Sequence, residues 1–203
     1  MEQINTIKEL IASYKKLPGI GNRTAERLAY ATLRLSKADR EAFISSLEDV
    51  DLRVKLCPKC GIYFEDSCPI CDDPKRDRSL LLVVSDSKDI LSLEKTKIYN
   101  GLYFTLKGTL SPLKNKGAKD IGIDELKERV KNDNIKEVIL ALPTSLEGET
   151  TSLYILNTLK DVKGVKVSRL AHGIPIGTDL EYLDDMTISQ SLQGRITISG
   201  EDK

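Results

Sequence analysis

The sequence predicts an α+β protein built in consecutive parts: a helical hairpin, a four-cysteine knot, an α/β domain with a parallel sheet, and a closing helix and strand. Three observations predict it. Apolar residues recur at helical spacing before Cys57, all four cysteines fall within residues 57–71, and short apolar runs alternate with amphipathic segments from Leu80 onward.

Ile4, Ile7, Leu10, Ile11 and Tyr14 lie on one face of an opening helix, which Pro18 and Gly19 stop. Leu17-Pro18-Gly19-Ile20-Gly21 is a tight apolar turn, and Ala25, Leu28, Ala29 and Leu33 mark a second helix from about Asn22. Two helices joined by a Gly-x-Gly turn form a helix–hairpin–helix. Gly19 and Gly21 let the backbone approach a partner closely, and the N–H groups that open the second helix lack internal acceptors, so the turn can hold a phosphate. Arg23 and Arg27 follow on its first turns. Lys15, Lys16, Arg23, Arg27, Arg34, Lys37 and Arg40 face only Glu26 and Asp39, which points to sequence-independent DNA binding; the alternative is a plain hairpin with a solvated basic face. Ser36 caps a third helix whose Phe43, Ile44, Leu47, Val50 and Val54 form a core or subunit-contact face.

Cys57-Pro-Lys-Cys60 and Cys68-Pro-Ile-Cys71 are two C-x-x-C turns. Each aims two sulfurs at one point, and together they supply the four thiolates of a tetrahedral Zn²⁺ with no position left for water, a structural site. Disulfides are the alternative, but nothing else in the chain looks secreted and so short a loop would staple little. Ile62, Tyr63 and Phe64 are expected to pack against neighbours.

Residues 72–78 read as a polar linker. Beyond it, strands are expected at 80–84, 101–106, 137–142 and 165–169. Helices are expected at 87–95, capped by Ser87 with Ile90, Leu91 and Leu93 inside, and at 125–131 and 149–160, with a long Gly-, Ser-, Pro- and Lys-rich loop over 107–123. This alternation specifies a parallel sheet covered on both faces. Ligand sites in such sheets gather at the strands' carboxyl ends, which here carry Ser85-Asp86, Glu147-Gly148-Glu149 and His172. The two glutamates fit a magnesium or protein-contact site, or simply a helix N-terminus. His172 is the single histidine, so no His-based metal site exists, and no phosphate-binding P-loop motif occurs. Residues 187–198 are expected to give a last helix and a strand from Leu192 to Ile198.

Composition narrows the function. With 31 basic and 31 acidic residues, the chain is not a uniformly basic nucleic-acid coat, though a local basic face is compatible with that balance. Its apolar runs are too short to cross a membrane, and Met1-Glu-Gln-Ile-Asn5 lacks the features of a signal peptide; a cytoplasmic protein with reduced thiols is expected.

Taken together, L-P-G-I-G with its basic residues, the cysteine pairs and the Leu146-Glu-Gly-Glu149 segment resemble the RecR family of bacterial recombination mediators. Asp89-Ile-Leu-Ser-Leu-Glu94, Gly108-Thr-Leu-Ser-Pro112, residues 169–177 and Asp179-Leu-Glu-Tyr182 add to the likeness. The resemblance implies four regions: a helix–hairpin–helix DNA-binding region over 1–55, a zinc finger over 56–72, a Toprim domain over 79–176 and an oligomerisation segment over 177–203. It implies a non-catalytic ring-like clamp, often a tetramer, that acts with RecO and in some bacteria RecF to load RecA on single-stranded DNA. It further implies DNA contact by Arg23 and Arg27 and a RecO contact at Glu147. Four places depart from the family pattern: Ser85 stands where a glutamate usually ends the first Toprim strand, Pro143-Thr-Ser145 replaces an Asn-Pro-Thr, the loop between the cysteine pairs is one residue shorter than usual, and Arg23 stands where a lysine is common. A Toprim-type magnesium-dependent nuclease or topoisomerase is the alternative, but it needs that glutamate and an Asp-x-Asp, and neither is present in residues 79–176.

Overall fold

The computed structural model describes residues 4–198. The outermost ends of the two terminal regions expected from the sequence lie outside the described residues. The chain divides after Val54 into two compact units.

The first unit holds α1 (Asn5–Tyr14), α2 (Asn22–Arg34) and α3 (Lys37–Arg53). Ala25 and Ala29 are fully buried, and their small side chains let α1 and α2 approach closely. The Thr32 hydroxyl donates to the Leu28 carbonyl and so is left to accept from the Tyr14 hydroxyl at 2.5 Å, pinning the two helices together. Ser36 caps α3, as its sequence indicates, by accepting from the Asp39 N–H at 3.1 Å. The apolar face of α3 is not core. Phe43, Ile44, Leu47 and Val50 are all exposed, and α3 buries none of its residues.

The second unit begins with a two-stranded antiparallel ribbon, β1 (Lys55–Leu56) and β2 (Tyr63–Phe64), that carries the cysteine knot. There follow β3 (Asp77–Val84), α4 (Ser87–Lys95), β4 (Gly101–Thr105), α5 (Ala118–Ile121), α6 (Ile123–Asn132), β5 (Glu137–Ala141), α7 (Leu146–Leu159), β6 (Lys166–Arg169) and α8 (Asp185–Gln193). The sheet is wholly parallel in the order β4-β3-β5-β6. Leu81–Val84 are buried on both faces because β3 is an inner strand, hence its unbroken apolar run. Helices α4, α6 and α7 contribute Ile90, Leu126, Val130, Ile155 and Leu159 to the same core.

Four expectations are corrected. Residues 107–123 are not an open loop: Ser111 and Lys116 form a backbone bridge, Pro112–Lys114 make a 3₁₀ turn, and α5 follows. Helix α7 starts at Leu146, so the Glu-Gly-Glu segment is its first turn and not the loop ahead of it. Asp86, not Ser87, caps α4 by accepting from the Lys88 N–H at 3.0 Å, and Leu91 faces solvent. Finally, Leu192 belongs to α8, and the chain from Gly194 to Ile198 is not a strand; among the described residues Ile196 and Ile198 pair with no strand, and both are exposed. Of the three apolar residues after Cys60, Ile62 is buried and Phe64 packs on the core, while Tyr63 is exposed.

The linker after the knot is fastened by Arg76. Its side chain, only 9% exposed, grips Glu94 through both terminal nitrogens (3.0 and 2.5 Å) and donates to the Gly101 carbonyl. The Tyr103 hydroxyl donates to the same carboxylate at 2.7 Å. Hydrogen bonding from Arg76 holds Glu94 below the ordinary carboxylate range. A carboxylate depressed by folding stabilises the fold above its unfolded pKa, about 4.3, and that stabilisation drains as pH falls through the lower folded value. Arg76→Ala should therefore cost about 2–4 kcal/mol at pH 7 and less at pH 3, as read by urea unfolding at both pH values.

Candidate nucleic-acid interface and metal centre

In the hairpin turn, Gly19 has φ +79°, a conformation in which a side chain would be strained. Gly21 differs. Its backbone is extended (φ −81°, ψ 173°), and nothing lies within 4 Å of where a Cβ would stand. Among the described residues no contact requires a glycine there, and the space beside it is open. Gly21 is the N-cap of α2 without a side-chain cap, and among the described residues the N–H groups of Asn22, Arg23 and Thr24 meet no acceptor. Arg23 and Arg27 are both exposed on the first turns of α2. The structure thus brings together all four hairpin residues singled out in the sequence.

The four cysteines converge. Cys57, Cys60, Cys68 and Cys71 are buried, and their sulfurs all lie within 4.8 Å of one another. Cys57 and Cys71 are 3.8 Å apart and Cys60 and Cys68 3.5 Å apart, far beyond a disulfide bond, so the disulfide alternative is set aside. Four thiolates at about 2.3 Å from a tetrahedral ion would be about 3.8 Å apart. The cluster can hold a metal ion. Donation to Cys71 and then burial push the Cys60 thiol up, and burial pushes Cys68 up. Acceptance from Cys60 brings Cys71 down to about 5, with Arg129 adding to the pull.

Local backbone geometry shapes each turn. The Gly61 N–H donates to the Cys57 carbonyl and the Cys71 N–H to the Cys68 sulfur. Gly61 is fixed twice over, by φ +77° and by Thr105, whose Cβ would lie 2.7 Å from an added methyl. The knot is also docked on the sheet. The Thr105 hydroxyl donates to the Cys60 carbonyl (2.7 Å), Arg78 to the Cys71 carbonyl (3.2 Å), and Arg129 to the carbonyls of Lys59 and Tyr103. The sequence does not single out these three donors: Thr105 and Arg129 stand 45 and 70 residues from the carbonyls they meet, and Arg78, seven residues from Cys71, falls in the run that reads as a polar linker, with no distinguishing pattern.

At the carboxyl ends of the strands, β3 leads to one side of the sheet and β5 to the other, so the topological switch point falls between Ser85-Asp86 and residues 142–144. Ser145 caps α7. Gly148 is buried where a Cβ would come 1.9 Å from the Pro143 carbonyl, so only glycine lets α7 start this close to the end of β5. The site carboxylates do not act together. Asp86 is occupied in capping and pairs with Lys88, and Glu149 pairs with Arg169 at 3.1 Å. Glu147 is half-buried, and its carboxylate meets no partner among the described residues. Among those residues, the cysteines are the single group of three or more metal-ligating side chains within reach of one ion.

A helix–hairpin–helix, a four-cysteine cluster and a Toprim domain in one chain define the class. The RecR helix-hairpin-helix family matches residues 7–50, the Toprim domain family residues 79–171, and the RecR C-terminal family residues 173–196. The recombination protein RecR of Staphylococcus aureus strain Newman is 47% identical over 190 residues, covering 93% of this chain and 96% of that protein; those of strains COL and MRSA252 match equally. The chain belongs to the RecR family.

Because four ligands close the metal site, losing one should be felt as stability. Cys60→Ser should lower the thermal midpoint of metal-loaded protein by about 5–15 °C and abolish stoichiometric metal, measured by calorimetry and by metal analysis.

Proposed function

We propose that this protein is a non-catalytic DNA-binding recombination mediator. The observation that carries the reading is the hairpin: a glycine at Gly21 that the chain's own packing does not require, beside unanswered N–H groups and two exposed arginines. Backbone amides and the Gly19–Gly21 turn grip phosphates, Arg23 and Arg27 add charge, and neither reads base identity. The recombination role comes from the relatives' name.

The ion in the cysteine cluster is Zn²⁺, one per chain, held by Cys57, Cys60, Cys68 and Cys71. The sulfur separations and the all-thiolate donor set support it. Bound there, zinc supplies structure and no chemistry. The protein self-associates into a ring-like clamp, which the exposed apolar face of α3 supports. It acts with RecO, and with RecF where present, to load RecA; Glu147, fixed in place by Gly148 and free of partners among the described residues, is the RecO contact. A serine at position 85 and the engagement of Asp86 and Glu149 elsewhere support a non-catalytic Toprim domain.

Arg23→Ala/Arg27→Ala should weaken binding of a labelled single strand at least tenfold and lower the slope of log K against log salt by about 1.4. Unchanged affinity would remove the hairpin from the mechanism. Magnesium-dependent strand cleavage by pure protein, lost in Glu147→Ala, would establish a Toprim nuclease in its place.

A further inference from the structure

Residues 107–119, spanning the connection from β4 into α5, carry Lys107, Lys114, Lys116 and Lys119 and not one acidic residue, in a chain with equal numbers of basic and acidic residues. All four lysines are exposed. Lys107 is paired with Glu125 at 3.5 Å, and Lys116 donates to the Lys107 carbonyl at 3.2 Å. Lys114 and Lys119 have no acidic partner among the described residues. The acid nearest in sequence, Asp120, is turned to the Gly117 N–H at 2.8 Å.

The segment is built, not slack. Ser111 is 4% exposed and exchanges both backbone hydrogen bonds with Lys116, at 3.1 and 3.0 Å. The Leu110 N–H donates to the buried Thr151 hydroxyl of α7, and the Lys107 N–H to the Ile121 carbonyl. Asn115, at φ +51°, turns the chain back. Between these anchors the Pro112–Lys114 turn holds Leu113 out at 94% exposure, an apolar side chain at the tip of a basic projection.

We propose that this projection is a second nucleic-acid contact, on the Toprim domain and separate from the hairpin: Lys114, Lys116 and Lys119 bind phosphates while Leu113 lies against exposed bases or sugars. The inference rests on the DNA-binding reading above. Unbalanced lysines call for a polyanion, and the leucine among them calls for an apolar surface within the same few ångströms. A strand of nucleic acid offers both, since its phosphates alternate with base and sugar faces. Anchoring at Ser111, Leu110 and Lys107 spares the projection much of the ordering cost of binding.

The test uses the full chain. Lys114→Gln/Lys116→Gln should weaken binding of a labelled single strand about five- to twentyfold near 0.1 M salt and lower the salt slope by about 1.4, with the thermal midpoint unchanged. Lys114→Arg/Lys116→Arg should restore both. A photo-crosslinking residue replacing Leu113 should couple to the DNA strand. Unchanged affinity and slope in the glutamine variant, with Arg23→Ala/Arg27→Ala impaired, would overturn this proposal and leave the hairpin standing. The reverse pattern would support the projection and sink the hairpin. A crosslink at position 113 that forms only with protein, whether a second copy or another chain, would also overturn it.

Discussion

Three hydrogen-bond donors from the sheet unit close on three carbonyls of the cysteine knot, and much of the second unit's architecture depends on that match. A metal loop of this size has too little apolar surface to fold its own backbone, and its carbonyls need donors from outside it. Arg78 lies on β3, Thr105 ends β4 and Arg129 lies on α6, so the knot is held by three different elements. Arg129 also bonds the Tyr103 carbonyl and pairs with Asp133, so its guanidinium is oriented from two further directions. The knot and the sheet are one packed body, and the buried Cys60, Ile62 and Ile70 belong to the same core as Leu81 and Phe104.

The carboxyl end of the sheet follows a similar economy of contacts. Gly148 brings the first turn of α7 against Pro143, and Thr151, one turn on, bonds both the Glu147 carbonyl and the Leu110 N–H. One buried hydroxyl thereby fixes the start of α7 to the basic projection after β4. The carboxylates in this region are arranged for separate tasks: a helix cap at Asp86, an ion pair at Glu149 and a partner-free group at Glu147. Three carboxylates intended for one divalent ion would face each other, and these do not.

How much of this is legible in the sequence depends on whether the cause is local. The hairpin, the knot and every strand of the parallel sheet follow from periodicity, cysteine spacing and turn residues, and the structure places them within a few residues of expectation. The misread places have non-local causes. A glycine two residues inside a helix reads as a helix boundary, because the Pro143 carbonyl that demands it approaches from another segment. The Gly-, Ser- and Pro-rich run after β4 reads as loose, because the burial of Ser111 depends on packing the run does not itself encode. The apolar faces of α3 and of residues 194–198 read as core or strand, yet within the described chain they find nothing to cover them. At the sites, the cysteines and the hairpin residues are legible as chemistry, whereas Arg78, Thr105 and Arg129 are ordinary residues until the fold is known.

The docking of the knot bears on modularity. Many cysteine-ligated fingers are self-sufficient and can be moved between proteins, since their folding needs little beyond the metal. This one takes two of its three donors from chain positions 45 and 70 residues away and the third from the strand that follows it. Cut out, it would carry unsatisfied carbonyls and an apolar face shaped for a sheet left behind. It is a non-transplantable part, and changes in its cysteines or in the three donors are confined to those that keep the other side in register.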